Sequence, residues 1–318
     1  MSLAARLRRL FFSVPERAVR FDVRGLRLGD PARRERLEGI AGVFLVGYHI
    51  ALDDPDPAAI AAAIAERVPL ARQGFAYEGA GMALALLDAI VPGRGGRVDN
   101  LLHGPGEPHE YLIEIGVGWA IARLGLHQRR LARLSPLHQG LAADGLGFHM
   151  AFFRVQETVR RARPPRGLQP ILARSFDQGV GRCLWFTECA DVDAILAAIA
   201  GFDPARHGDL WSGLGLACTY AGGATDDDLD RLYRAAAAAG HAAAMAQGSA
   251  FAVMARDRAQ NLAPHAEAAC ERLWGRPVAD VVALARAAGQ GLERAPVSDT
   301  PYETWRRRIQ AEHREVKP

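Results

Sequence analysis

Four carboxylates, Glu78, Glu114, Asp144 and Asp177, stand within two residues of a Gly-x-Gly step and have bulky apolar neighbours. A carboxyl group buried among aromatic rings loses hydration, so its pKa rises and it can hold and deliver a proton near neutrality. Asp144 is followed by Phe148 and His149, and Asp177 lies between Phe176 and Trp185. These two are the first candidates for general acid–base chemistry, with Glu78 and Glu114 beside them. Glu188 and Asp209 lie near other steps. No spacing in the chain brings any two of these groups together by itself.

Other reactive residue types have plainer explanations. Asp226-Asp227-Asp228-Leu229-Asp230 resembles the magnesium-binding DDxxD pattern of class I terpene synthases. It also directly follows Gly222-Gly223-Ala224-Thr225 and opens a helix, where acidic residues favour the positive end of the helix dipole. The cap reading is preferred, and magnesium is the only cofactor such a run would admit. Asp53-Asp54-Pro55-Asp56 is read in the same way. His103 and His109, with Glu107 and Glu110, match no zinc spacing, and no metal site is expected. Cys183, Cys189, Cys218 and Cys270 form no CxxC pair and read as buried thiols. Ser212 lacks the GxSxG frame of a nucleophilic serine.

The glycine steps themselves recur. Gly79-Ala80-Gly81 is followed by Gly116-Val117-Gly118, Gly145-Leu146-Gly147, Gly179-Val180-Gly181 and Gly213-Leu214-Gly215, and last by the degenerate Gly248-Ser249-Ala250. Successive leading glycines are 37, 29, 34, 34 and 35 residues apart. A period near 34 residues is the length of a helix pair with its turns, which predicts an all-α protein of helical-hairpin repeats. The expected arrangement is an (α/α)₆ toroid-like ring, with an open tetratricopeptide-like superhelix as the alternative. Each glycine inside a helix costs about 1 kcal/mol against alanine, so the pattern implies close backbone approach on both sides of each helix.

The repeated helices are placed at about 74–91, 110–124, 137–159, 176–190, 209–221 and 242–258. Partner helices are clearest at 57–67, 192–200 and 226–239, where alanine and leucine recur at helical spacing. A helix at about 31–52 reads as a half-unit capping the array, and two more follow at 264–274 and 278–289. Arg163-Pro164-Pro165-Arg166-Gly167 reads as a long connection, and Gly93-Arg94-Gly95-Gly96 as a stop. Only Ala18–Leu28, with alternating apolar residues, suggests a hairpin of strands. The domain organisation expected is an N-terminal extension at 1–30, one repeat domain at 31–294 and a polar, peripheral tail at 295–318.

Positions one before, three after and seven after each leading glycine share a helical face. They include Glu78, Met82; Ile115, Trp119; Asp144, Phe148; Gln178, Arg182, Phe186; Ser212, Tyr220; and Gln247, Phe251. The first position is mostly polar and the others mostly large and apolar. Turned inward, such a face makes a cavity with a polar rim and an aromatic depth, suited to an apolar ligand oriented by a few polar groups. Trp211 and His149 lie at its edge. The bland reading is a plain helical core with capped helix starts.

Composition sets bounds. The net charge of +3 is small and the arginines are scattered, which argues against a nucleic-acid partner. A single lysine, Lys317, stands beside a great excess of arginine, a bias read as that of a GC-rich genome. Ile40–Leu52 is interrupted by His49 and too short to span a bilayer. Met1–Pro15 carries Arg6, Arg8 and Arg9 before Leu10-Phe11-Phe12 and lacks a cleavage site. It reads as a frayed or an interfacial amphipathic segment, and a cytoplasmic location is expected.

Three blocks carry a family likeness: Gly74-Phe75-Ala76-Tyr77-Glu78-Gly79-Ala80-Gly81-Met82-Ala83-Leu84, Phe176-Asp177-Gln178-Gly179-Val180-Gly181-Arg182, and Asp209-Leu210-Trp211-Ser212-Gly213-Leu214-Gly215-Leu216-Ala217-Cys218. They resemble the UnbL-type family, proteins of unassigned function from enediyne and related natural-product gene clusters. The likeness extends from about Arg6 to Ile309 and implies a setting in secondary metabolism, beside a pathway making a long conjugated polyene and its other biosynthetic enzymes. It transfers no catalytic residue. The expectation is a protein that holds a polyene or isoprenoid in its interior and, if catalytic, acts as a carboxylate acid–base cyclase or isomerase without a redox cofactor. The alternative is a non-catalytic scaffold of a biosynthetic cluster.

Overall fold

The computed structural model describes residues 2–90, 95–125, 127–292 and 300–313. Val91, Gly93, Arg94 and the parts of the expected tail at 295–299 and 314–318 lie outside them. In chain order the helices are α1 (Leu3–Phe12), α2 (Phe21–Arg24), α3 (Pro31–Asp53), α4 (Pro57–Arg67), α5 (Gln73–Ile90), α6 (Arg97–Leu102), α7 (Glu110–Leu124), α8 (His127–Leu131) and α9 (Pro136–Phe153). Then come α10 (Pro170–Thr187), α11 (Val192–Ala200), α12 (His207–Ala221), α13 (Asp226–Ala238), α14 (Ala242–Arg258), α15 (Pro264–Trp274), α16 (Val278–Ala288) and α17 (Pro301–Ala311). No strand occurs among the described residues, and the fold class is all-α. Ala18–Leu28 is therefore not a hairpin. Val19, Phe21 and Leu26 are buried from a 3₁₀ turn and the short α2, which Gly25 closes at φ +68°.

Helices α3, α5, α7, α9, α10, α12 and α14 pack side by side in that order. The glycine steps explain how closely. A Cβ on Gly179 would lie 1.8 Å from the Asp144 carbonyl oxygen of α9, and one on Gly181 would lie 2.1 Å from that of Leu210 on α12. The leading glycine thus admits the preceding helix and the second glycine the following one. The rule also accounts for the ends. On α3 the corresponding step is Leu45-Val46-Gly47, and only Gly47 faces a neighbour, with a Cβ that would sit 1.8 Å from Ala76 O. On α14 it is Gly248-Ser249-Ala250, and only Gly248 does, against Ser212 O at 1.9 Å. Each terminal copy lacks the glycine on the side where, among the described residues, no further glycine-step helix of the array packs.

The outer layer is less regular than a uniform helix pair. Full partner helices occur as α4, α11 and α13, at the three places the sequence marks most clearly. Among the described residues, the connection between α7 and α9 holds the five-residue α8, and that between α9 and α10 a π-helical turn at Gln156–Arg160. The acidic runs are caps. Asp56 accepts from Ala59 N at the start of α4, and Thr225 and Asp228 form a capping box on α13.

Arginines tie the two ends of the array back across the molecule. Arg36 of α3 donates to Ala221 O at the end of α12 (2.9 Å), and Arg33 pairs with Asp228 (2.7 Å). Arg256 of α14 is buried and donates to Ala71 O (3.1 Å) and Asn261 O (3.0 Å). The segment expected to be peripheral behaves otherwise in its described part. Helix α17 packs on α9 and α14, and Tyr302, Glu303, Trp305 and Arg306 are buried.

Candidate functional site

The inward faces of the repeated helices meet in an aromatic interior. Phe44 lies 4.4 Å from Trp119 between ring centroids, Trp119 stacks on Phe148 at 5.2 Å, and Phe148 meets Phe186 edge-on at 5.3 Å. Phe75 and Tyr220 close the other side, edge to face at 5.1 Å. These rings surround a chamber of about 50 Å³ that Glu78 and Arg182 also line. An adjoining space of about 40 Å³ shares Phe75, Arg182, Leu216 and Tyr220 with it and is bounded beyond by Ile115, Phe251 and Trp305. A wider cavity of about 320 Å³, lined by Met82, Arg123 and His149, shares Val19, Phe44 and Trp119 with the chamber. It opens beneath Ser13, Val14 and Pro15.

Glu78 is the one carboxylate among the described residues that line the chamber, and its environment is unusual. Arg182 donates to Asp144 in a close ion pair, while its other amino nitrogen lies 3.8 Å from Glu78. One guanidinium thus faces two buried carboxylates. Asp144 also accepts from Gln178 Nε2 at 2.9 Å. Glu78 is left with the weaker contact, and burial pushes its pKa up to about 7 against the partial opposition of Arg182. Arg182 itself stays charged, held by Asp144 and Glu78 despite complete burial, and lies 5.1 Å over the Phe148 ring. A carboxyl group that exchanges a proton near neutrality beside a fixed cation in an apolar space is suited to general acid–base work.

The polar positions preceding each glycine step bond to one another. Close approach of the backbones puts these side chains side by side, so Gln178 donates to Asp144, and Ser212 reaches Gln178 Oε1 (3.2 Å) and Gln247 Oε1 (2.8 Å). Helix α17 completes this seam. Tyr302 OH accepts from Gln178 (2.7 Å), Arg306 reaches Gln247 (3.3 Å) and Asp209 (2.9 Å), and Gln310 reaches Gln247 (3.2 Å).

Of the residues that the sequence singles out, Glu78, Trp119, Phe148, Arg182, Phe186 and Tyr220 line the chamber. Phe251 lines the adjoining space, and Met82 and His149 line the opening. Asp144, Gln178 and Gln247 are in the seam. The other three are elsewhere. Asp177 points away from the interior to a bidentate pair with Arg206, at 2.8 and 2.5 Å. Glu114 is buried beside His138 (3.0 Å), where burial raises its pKa to about 7. Trp211 is buried without lining any of the three spaces. His149 is held neutral: burial, with Arg123 and Arg154 nearby, depresses its pKa to about 3.

Phe44 and Phe75 line the chamber without belonging to the face that the steps define. Phe44 occupies the position before the step on α3, whose leading glycine is replaced by Leu45. Phe75 lies one turn before Glu78 on the same face. Extending the face backward and accepting a half-degenerate step finds both. Nothing local marks Tyr302 or Arg306, which reach the seam only through the tertiary fold.

No curated protein and no solved structure matches the chain. A family model described as "Protein of unknown function (DUF1702)" matches residues 3–313. Spanning nearly the whole sequence, that match shows that the chain belongs to the DUF1702 family.

Proposed function

We propose that this protein binds an elongated apolar small molecule in its aromatic interior and that Glu78 moves a proton on it. The observation that carries the reading is Glu78 itself, a carboxyl group balanced near neutrality by burial, opposite Arg182, in a chamber otherwise lined by rings. The reaction best matched to such a group is a proton shift along a conjugated chain that ends in a carbonyl. Carboxylate Glu78 takes a proton from an activated carbon, the electron pair moves toward the carbonyl oxygen near Arg182, and Glu78, after its acid proton exchanges with solvent, returns a proton to another carbon. Atoms and electrons balance without a cofactor. The likeness to proteins of enediyne and related natural-product clusters supports a polyene or isoprenoid of secondary metabolism as the ligand class.

The chamber alone is small against the roughly 300 Å³ or more typical of small-molecule sites. Binding therefore requires the three spaces to join, and the shared side chains Tyr220, Leu216 and Trp119 are the partitions that would turn. A scaffold role has less support, because the aromatic side chains it would offer to a partner segment are buried, Trp119 to 6% exposure and Phe251 to 6%.

Parinaric acid, a fluorescent conjugated tetraene, tests the reading. Saturable binding with energy transfer from tryptophan is expected. Ala217→Leu, which adds three carbons to the chamber wall, should weaken it on the order of tenfold at an unchanged melting temperature. Glu78→Gln should bind the probe but lose solvent-deuterium exchange into an enolisable polyene ketone. Absence of saturable binding, or equal affinity for wild type and a folded Ala217→Leu variant, overturns the proposal.

A further inference from the structure

Helix α1 is mounted with the opposite orientation to a normal amphipathic helix. Its attached side is polar. Arg8 donates to Leu52 O (2.5 Å) and Asp53 O (2.7 Å) at the end of α3, Arg9 grips the Asp53 carboxylate (2.7 Å), and Ala5 is the buried small residue between. Its free side is apolar. Leu3, Leu7, Leu10 and Phe11, spaced as one helical stripe, are 75%, 48%, 76% and 70% exposed. The carbonyls that end α3 attract the arginines, which leaves the leucines outward.

We infer that α1 is a membrane-surface helix that seats the mouth of the interior cavity on an anionic lipid bilayer. Three observations select this occupant. Arg6 and Arg17 are exposed and have no carboxylate partner among the described residues, and residues 2–15 hold no acid at all, which complements a negative surface. The stripe is continuous with Ser13, Val14 and Pro15, which cover the wider cavity. Its area is too small for a second copy: ten residues make a helix about 15 Å long, a footprint of a few hundred Å² against about 800 Å² per partner in a specific interface. A fluid apolar phase sets no such minimum. An apolar ligand could then pass from lipid to the cavity without crossing water. The membrane assignment itself stands on α1 and does not require the proton-transfer chemistry.

Sedimentation with vesicles tests it, using the full chain and either phosphatidylcholine alone or phosphatidylcholine with about one-third phosphatidylglycerol. Binding to the anionic vesicles is expected. The doubly substituted Leu7→Ser/Phe11→Ser variant, changed only at exposed positions, should bind at least about tenfold more weakly. Arg6→Ser and Arg17→Ser should each cost about fivefold, and high salt should remove that difference. Equal vesicle binding by wild type and Leu7→Ser/Phe11→Ser overturns the inference. So does self-association without vesicles that this variant abolishes, which would make the occupant a second copy. Vesicle binding without parinaric acid uptake would leave α1 assigned and refute the ligand-binding reading alone.

Discussion

Glu78 and Glu114 are carboxyl groups whose folded-state pKa lies well above the ordinary value of 4.5, each at about 7 because burial disfavours the anion. The folded protein therefore holds protons that the unfolded chain has released. Stability should fall as pH rises from about 4.5 to 7, by up to about 3 kcal/mol for each group. Glu78→Gln removes one of the two. Its urea-unfolding free energy at pH 8 should exceed that of wild type by about 2 kcal/mol, and its loss between pH 5 and 8 should be roughly halved. An unchanged pH slope would mean that Glu78 is ionised at little cost and would remove the basis for its proton chemistry. His149 works in the opposite sense. Its pKa is depressed to about 3 from the ordinary 6.5, so the stability tied to its neutral form is lost as pH falls below 6.5.

Within the helical array, the same substitution should have opposite effects at different glycines. Gly42, inside α3, has open space around it, with nothing within 4 Å of where a Cβ would stand, so Gly42→Ala should gain up to about 1 kcal/mol from helix propensity alone. Gly179→Ala would drive a methyl group to 1.8 Å from the Asp144 carbonyl, with the Phe148 backbone nitrogen at 2.8 Å. Backbone cannot rotate away as a side chain can. The helices must separate, at a cost above the roughly 1–3 kcal/mol usual for overpacking, and the polar seam from Asp144 to Gln247 separates with them. Thermal unfolding of the two variants checks both signs at once. This contrast also explains what is legible in the sequence. A glycine that meets a neighbouring backbone must recur wherever that contact recurs, so the period, the inner helices and their facing residues can be read directly. The outer layer is legible only where full partner helices form, as α4, α11 and α13; α8 and the π-helical turn meet no such fixed requirement and are free to shorten. Asp177 escapes the pattern for a related reason. It lies two residues before a glycine, one step off the inward face, and its aromatic neighbours in sequence are not its neighbours in space, where Arg206 takes it.

Helix α17 packs into the array although its sequence reads as part of a polar, peripheral tail. Thr300 caps it, and Glu303, Arg306, Arg307 and Arg308 give it a polar composition. Yet Arg306 has no exposed surface and pairs with Glu303 and with Asp209, which lies 97 residues earlier. A buried charge is tolerable only when its partners are built in, and Asp209 comes from the first turn of α12 while Arg174 of α10 supports both acids at 3.2 Å. No local pattern can announce that arrangement, because each partner alone looks like an ordinary surface charge. The cluster is consequently a lock between α10 and α12 of the array and the last described helix. Arg306→Met removes the buried cation and leaves two buried acids sharing the half-exposed Arg174 alone, which should cost about 3 kcal/mol in urea unfolding. Adding Asp209→Asn and Glu303→Gln removes the stranded charges and should recover a substantial part of that loss. If Arg306→Met were nearly neutral, α17 would be a dispensable cover, and the seam of Asp144, Gln178, Ser212 and Gln247 would have to hold its polar groups without it.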